Sequence, residues 1–238
     1  GVQTCALPIS LPARRAASPP DVLPSEVLYT NCYTTFPGAP EARLLFPAVW
    51  NMDSDTTRVV VGTSTDGRLW DWLPGGTVLD TATFGQFDGG CLFPQPNLVE
   101  LADGDLALPY AAWDLPHKYP RGLLGVDIAY AVWPKGRLLC LEAEQLGEFT
   151  TVGFVPPGTK LKLNAVTKRG GGIQIAACGL SQQPLQGRDF DDCAPLIGDL
   201  ANVPVTWKGG QELGLPEGEA LILKVRLNQA KLYWFEFE

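Results

Sequence analysis

The sequence predicts an all-β protein, and three observations support that fold class. The 238 residues include 26 glycines and 21 prolines, which interrupt helices and favour turns. From Glu26 onward, short apolar runs alternate with turn residues at intervals of roughly 8–12 residues, as in antiparallel sandwiches, barrels and propellers. The nearest helix candidate, Glu142 to Glu148, is too short and contains Gly147. The length suits one large domain or two ordinary ones, with enough apolar residues for a substantial core.

The pattern of apolar and polar residues in the predicted strands changes near residue 135. Before it come EVLYTNCY, ARLLFPAVW, RVVVGTST, DLALPYAAW and LGVDIAYAVW, and RLLCLEA follows directly after it. Beyond these runs, KLKLNAV, GGIQIAAC, VPVTWKG, ALILKVRL and KLYWFEFE alternate apolar and polar residues, as half-exposed strands of an antiparallel sandwich do. We therefore expect one domain over residues 25–134 and a second over 135–238, with Leu232, Trp234 and Phe235 or Phe237 anchoring the closing strand.

Residues 1–24 are expected to lie outside the fold. Residues 1–9 (GVQTCALPI) match the translation of a common sequencing adapter, and residues 10–24 are rich in Pro and Ala without a pattern. We therefore expect that the natural N-terminal part is missing. The alternative is a natural apolar nonapeptide.

Charge, hydropathy and cysteine spacing bear on the partners, metal sites and disulfides that the chain could have. The net charge of −8 argues against nucleic acid or an anionic membrane as partner. No apolar run reaches the roughly 18 residues of a membrane-spanning helix. Five cysteines remain once Cys5 is set aside; they lack C-x-x-C spacing and predict mostly buried thiols, with a Cys178–Cys193 pair left open. No metal or cofactor is predicted. Oligomeric state and compartment stay open, an extracellular or periplasmic location included.

A short hairpin motif follows the third predicted strand. Ser64, Asp66, Gly67 and Trp70 form the string S-x-D-G-x-x-W. Asp-Gly favours a tight turn in which the carboxylate accepts backbone N–H groups, and the Trp then returns to the sheet. Asp66 is therefore interpreted as a turn former rather than a catalyst.

This motif resembles the hairpin of β-propeller blades in carbohydrate-active enzymes, and is one residue shorter than the Asp-box of sialidases. With LFPAVWNMDSDTTR, FDGG, PQPNLVELADGDLALPYAAW and DLPH in that order, the chain resembles the last blades of the five-bladed propellers of glycoside hydrolase families 32 and 43. EFTTVGF, GRDFDDCAPLIGD and LNQAKLYWFEFE extend the resemblance over roughly residues 26–238.

The resemblance implies a partial five-bladed β-propeller followed by a C-terminal antiparallel β-sandwich. It also implies a full-length protein that binds carbohydrate and acts on glycosidic bonds. The family's essential acids are expected upstream, so that the chain alone would be inactive. The alternative is a non-catalytic carbohydrate-binding or cell-surface interaction protein.

Asp88 is the best remaining candidate for a catalytic acid. Glycoside hydrolysis usually requires two carboxyl groups flanking the scissile bond. Asp88 is interpreted either as a substrate-facing carboxylate at the start of an inner strand, or as a turn residue before Gly89 and Gly90.

Four further residues are candidates for substrate binding. His117, the only histidine, lies in a Pro-bracketed loop after a strand that contains Tyr110, and is either a sugar contact or a surface residue. Trp50 is favoured over Trp70, Trp72 and Trp113 as a stacking platform, and Asp53 lies in the oxygen-rich loop that Trp50 opens. That loop lacks the Gly and third Asp of a calcium frame, so we interpret it as a solvated loop.

Two polar clusters in the second half are interpreted as structural. Asp189, Asp191 and Asp192 are expected to form a solvated turn with one capping Asp. Residues 168–172 (KRGGG) lack the spacing of a phosphate-binding loop and are expected to form a flexible hairpin.

Overall fold

The computed structural model describes residues 22–119 and 125–238, so the adapter-like segment lies outside the described residues. The prediction of an all-β fold is confirmed: within these ranges the chain forms antiparallel sheets, with one short 3-10 helix at Phe190–Asp192. The strands are β1 (Glu26–Leu28), β2 (Cys32–Phe36), β3 (Ala39–Phe46), β4 (Ala48–Asn51), β5 (Thr57–Ser64), β6 (Asp71–Asp80), β7 (Cys91–Pro94), β8 (Val99–Glu100), β9 (Leu106–Trp113), β10 (Asp127–Trp133), β11 (Leu141–Thr150), β12 (Leu161–Cys178), β13 (Asp199–Pro204) and β14 (Ile222–Phe237).

The described residues fall into two compact units that meet in sequence between Lys135 and Gly136. The N-terminal unit has two sheets and the C-terminal unit one, and no sheet closes on itself among the described residues.

The first sheet of the N-terminal unit is built around β5. β3 and β4, separated by Pro47, pair in succession with β5 on one side, while β6 pairs with its other side. β2 and β1 continue the sheet outward from β3 and β4. Phe46, Val49, Val59 and Val61 are buried, so the central strands carry the apolar interior.

The second sheet of this unit has β9 at its centre. β7 and β8 pair successively with one side of β9, and β10 pairs with the other. The Thr57 hydroxyl on β5 accepts a hydrogen bond from the Leu92 N–H at 2.8 Å and donates to the Leu92 carbonyl at 2.6 Å. One side chain thus satisfies both backbone groups of a residue on the edge strand β7, as a pairing strand would.

The hairpin between β5 and β6 has the predicted turn chemistry. The Asp66 carboxylate accepts the N–H groups of Arg68 at 2.8 Å and Leu69 at 2.9 Å. Hydrogen bonds from the Leu69 and then the Arg68 N–H hold the pKa of Asp66 below its ordinary value. The turn-forming interpretation of Asp66 is confirmed.

The C-terminal unit contains a four-stranded sheet in the order β11-β14-β12-β13. Alternate residues of β12 and β14 are buried along much of their length, and Leu163, Ile173, Val225 and Leu227 belong to one core with Trp207. The Trp207 indole N–H donates to the Ile175 carbonyl at 2.8 Å, which satisfies its polar atom inside that core.

One prediction for this unit is wrong. Residues 168–172 do not form a hairpin that separates two strands, because β12 runs through them as one strand of 18 residues. Its register against β14 shifts between Thr167 and Gly172, so the extra residues form a large bulge. A Cβ at Gly171 would lie 2.4 Å from the Asn228 carbonyl oxygen, and this close approach requires glycine. The runs ALILKVRL and KLYWFEFE likewise join into the single strand β14.

The acidic turn follows its prediction. The Asp189 carboxylate accepts the Phe190 N–H at 2.7 Å, and the Asp192 carboxylate accepts the Asp189 N–H at 3.2 Å. The Asp189 carboxylate also accepts the Asp192 N–H, and the two reciprocal bonds between Asp189 and Asp192 cap the 3-10 helix. Cys178 and Cys193 are both buried free thiols, so the pairing left open by the sequence does not form.

Candidate functional site

An aromatic cleft of about 430 Å³ lies in the N-terminal unit. Its walls include Tyr29, just after β1, the β7 residues Cys91 and Phe93, and Trp113 at the end of β9. Cys91 pairs with Trp113 in the ladder, and Phe93 lies two residues further along β7, so all three side chains share one face of the sheet. His117, in the loop after β9, completes this part of the wall.

The imidazole of His117 is surrounded by aromatic rings. Its centroid lies 4.9 Å from that of Tyr29, 5.0 Å from Phe93 and 5.7 Å from Trp50, each in an edge-to-face arrangement. Lys118 places its ammonium group 4.8 Å from the centre of the Trp50 ring. Edge-to-face pairs of this kind hold ring orientations, so the cleft wall is preorganised.

Two backbone contacts position the loop that carries His117. The His117 N–H donates to the Asp55 carbonyl at 2.9 Å, and the Gly90 N–H donates to the Trp113 carbonyl at 2.9 Å. Gly90 also lies against the backbone of Leu115, with no room for a side chain. Gly90, which the sequence analysis gave no role of its own, therefore allows two backbone segments to approach closely.

The loop between β4 and β5 supports the cleft from the Trp50 side. The Asn51 side-chain oxygen accepts the N–H groups of Asp53 at 2.9 Å and Ser54 at 3.1 Å, and so forms the turn. The Trp50 indole N–H donates to the Asp55 carboxylate at 3.1 Å. Asp53 is exposed on the turn and does not line the cleft.

Asp88 and Tyr110 form a second pair. The Tyr110 hydroxyl donates to the Asp88 carboxylate at 3.2 Å, and burial followed by the Asp88 charge raises the pKa of Tyr110. Of the two interpretations of Asp88, the structure shows the turn residue before Gly89 and Gly90, and the inner-strand alternative is wrong, because β7 begins three residues later at Cys91. Tyr110 lies three residues before Trp113 on a regular strand, so its side chain is on the opposite face of β9.

The cleft thiol is not poised for nucleophilic chemistry. Burial, reinforced by the nearby Asp55 carboxylate, raises the pKa of Cys91 to about 11. A thiol with that pKa is protonated at neutral pH and acts as a small apolar wall residue. Among the described residues that line the cleft there is no aspartate or glutamate.

The structure thus brings the five predicted site residues into two groups. Trp50 and His117 are in contact beside the cleft, with Asp53 on the adjoining turn, whereas Asp88 and Tyr110 contact each other. Sequence reasoning missed Tyr29 and Phe93, which supply two of the rings around His117. The alternation of Cys91 and Phe93 in C-L-F-P was the available signal that these side chains share a face.

Comparison with known proteins returned no family profile that matches the chain and no matching curated protein. Within residues 22–119 and 125–238, no cluster of three or more His, Cys, Asp or Glu side chains is arranged to hold a metal ion. No helix in the same ranges is long and apolar enough to cross a membrane.

Proposed function

We propose that this chain is the carbohydrate-binding portion of a glycosidase-like protein, and that the cleft beside His117 is its sugar site. The observation that carries the proposal is the grouping of Tyr29, Phe93 and Trp113 around one cleft together with His117. Sugar rings present C–H faces that pack on aromatic rings, and their hydroxyl groups need a few polar partners at the rim. A monosaccharide or disaccharide unit fits a volume of about 430 Å³.

The fold-level part of the proposal is a partial β-propeller followed by a β-sandwich. In the first sheet of the N-terminal unit, β1 and β2 pair with β4 and β3, these two pair with β5, and β5 pairs with β6; the second sheet runs from β7 and β8 through β9 to β10. Taken as interrupted strands, the successive pairs follow one another in chain order, as the strands of a propeller blade do. The bridge from Thr57 to Leu92 links one such sheet to the next. In residues 136–238, the four-stranded antiparallel sheet and the apolar core that packs against it are the observations that favour a sandwich.

Binding is favoured over catalysis for the described residues. Hydrolysis of a glycosidic bond usually needs two carboxyl groups at the scissile bond, and no carboxyl group of residues 22–119 or 125–238 lines the cleft. In this proposal the full-length protein acts on glycosidic bonds with acids contributed by other blades. Asp88 is a second candidate for a functional carboxyl group, favoured by its hydrogen bond to Tyr110. However, Tyr110 is on the face of β9 opposite to Trp113 and the cleft.

The test is a paired binding and turnover experiment on the full chain. A panel of neutral and acidic oligosaccharides is titrated by calorimetry, and aryl glycosides are assayed for release of the aryl alcohol. We expect binding without turnover, and loss of binding in Trp113→Ala. Trp70→Ala is the matched control, because Trp70 packs against Tyr33 and is absent from the cleft.

Three outcomes would contradict the proposed sugar site at the cleft. Turnover that disappears in Asp88→Asn would replace this proposal by a hydrolytic site at Asp88. Binding that is lost equally in Trp113→Ala and Trp70→Ala would place the sugar elsewhere. No binding to any oligosaccharide would overturn the carbohydrate proposal as a whole.

A further inference from the structure

Strand β10 forms an unpaired edge of the second sheet. It pairs with β9 through seven consecutive residues, Asp127 to Trp133, without a register shift. No other strand among the described residues pairs with its outer side. A straight, regular edge of this length presents a row of backbone N–H and C=O groups to another strand.

One face of this edge is apolar and exposed. Ile128 is 66% exposed, Tyr130 58% and Val132 50%. These three residues alternate along the strand and therefore lie on the same face. Monomeric proteins seldom leave large apolar side chains side by side on a free edge, and such groups mark contact surfaces.

Other sheet edges of the molecule carry protective features that β10 lacks. β11 has three glutamates and an irregular register between Ala143 and Leu146. β13 begins with Asp199 and ends with Pro204, and β6 contains Pro74. Charges, prolines and bulges are how natural edges avoid pairing with another chain. Between Ile128 and Trp133, β10 has none of them.

The sequence of β10 is complementary to itself in the antiparallel direction. Residues 128–132 read Ile-Ala-Tyr-Ala-Val, a large-small-large-small-large pattern centred on Tyr130. When two copies pair around that centre, Ile128 faces Val132 of the second copy, Ala129 faces Ala131, and the two tyrosines face each other. Opposed β-branched and aromatic pairs are the units that stabilise antiparallel sheets.

The charge pattern agrees with the same register. Asp127 is the one charged residue of β10, and it lies at the end of the strand. In the centred arrangement it faces Trp133 of the second copy, so the two carboxylates lie at opposite ends of the pairing. We propose that β10 joins two copies of this chain into a two-fold symmetric dimer, with Tyr130 on the symmetry axis.

The first test is the oligomeric state of the full chain by sedimentation velocity over a range of concentrations. We expect a reversible monomer–dimer equilibrium, whose dissociation constant rises about tenfold or more in Ile128→Lys because an ammonium group then faces Val132 of the second copy. Leu146→Lys is the matched control: Leu146 is 69% exposed on β11, so its replacement leaves the equilibrium unchanged. A chain that stays monomeric at every concentration, or associates equally in both variants, overturns the proposal.

The second test fixes the register. In a Cys140→Ser background, Tyr130→Cys and Val132→Cys are each oxidised with diamide, which takes up the two hydrogens as the disulfide forms. We expect a covalent dimer from Tyr130→Cys, because only that residue faces its own copy, and little from Val132→Cys. Crosslinking of Val132→Cys alone, or of neither variant, overturns the Tyr130-centred pairing. Neither test depends on the sugar site, so the two proposals fail separately.

Discussion

Gly90 lies so close to Leu115 that a Cβ on Gly90 would be 2.1 Å from the Leu115 carbonyl carbon. Leu115 begins the short segment that leads to His117, and the Gly90 N–H holds the Trp113 carbonyl just before it. The start of β7 and the His117 loop are therefore packed backbone to backbone. The shape of the cleft depends on this contact.

Gly90→Ala is expected to separate these two segments. The added methyl group meets backbone atoms that cannot turn aside, so we expect a loss of stability of about 1–3 kcal/mol, together with weaker ligand binding. Chemical denaturation with urea measures the change. Gly125→Ala is the control, because a Cβ there meets no atom within 4 Å. Equal stability of both variants would contradict the contact.

Thr57→Val is expected to destabilise the N-terminal unit by about 1–3 kcal/mol, because it leaves the buried N–H and carbonyl of Leu92 without their shared partner. Valine keeps the shape and strand preference of threonine, so the hydroxyl is the group that is tested. Thr63→Val, on the same strand and half-buried, serves as control. Hydrogen exchange at the Leu92 amide gives the local measurement, and unchanged protection there would rule out the bridge.

The Glu26–Arg58 pair predicts a dependence of stability on pH. Burial by itself raises the pKa of Glu26, but hydrogen bonds from Arg58 and the Leu23 N–H outweigh it, and the pKa is lowered below its ordinary value. A carboxyl whose pKa is lowered in the folded state stabilises that state above its unfolded pKa, and loses this contribution as the pH falls through the folded pKa.

Glu26→Gln should therefore be less stable than the parent at neutral pH, and the difference should shrink in acid. Thermal unfolding of both proteins between pH 7 and pH 3 measures this gap. Glu41→Gln, an exposed glutamate on β3, is the control. A gap that stays constant with pH would show that ionisation of Glu26 is not involved.

Arg188 organises a turn in the C-terminal unit. Its Nε donates to the Glu212 carbonyl at 2.5 Å, one terminal nitrogen donates to the Gly187 carbonyl at 2.9 Å, and its guanidinium lies 5.5 Å from the centre of the Trp207 ring. Lysine cannot reproduce this planar set of donors, so Arg188→Lys should cost about 1–3 kcal/mol. Arg169→Lys, at an exposed position, should leave the denaturation midpoint unchanged. Equal denaturation midpoints for Arg188→Lys and Arg169→Lys would show that the Arg188 guanidinium does not stabilise this turn.

Local patterns were sufficient to predict much of the fold. The alternation in KLKLNAV and ALILKVRL predicts half-buried strands, which the structure contains, because strand periodicity depends only on neighbouring residues. The turn at Asp66 was predictable for the same reason. The bulge at residues 168–172 was not, since its Gly171 is required by the Asn228 carbonyl, more than fifty residues away.

The candidate site was predictable only in part, for a related reason. Trp50 and His117 were singled out by residue type and loop position, but Tyr29 and Phe93 contribute through long-range contacts with His117. No local pattern specifies that these four rings meet. The sequence left Asp88 open between a strand start and a turn residue, because the close approaches of Gly89 to Thr83 and of Gly90 to Leu115 that fix this turn are tertiary contacts.

Saturation-transfer NMR with irradiation of the aromatic protons shows whether the aromatic cleft is a sugar site. In a mixture of the full chain with an oligosaccharide, we expect strong transfer to the C–H protons of one sugar face, retained in Trp70→Ala and lost in Trp113→Ala. Absence of transfer to any saccharide, or transfer that persists in Trp113→Ala, would contradict the aromatic cleft as a sugar site.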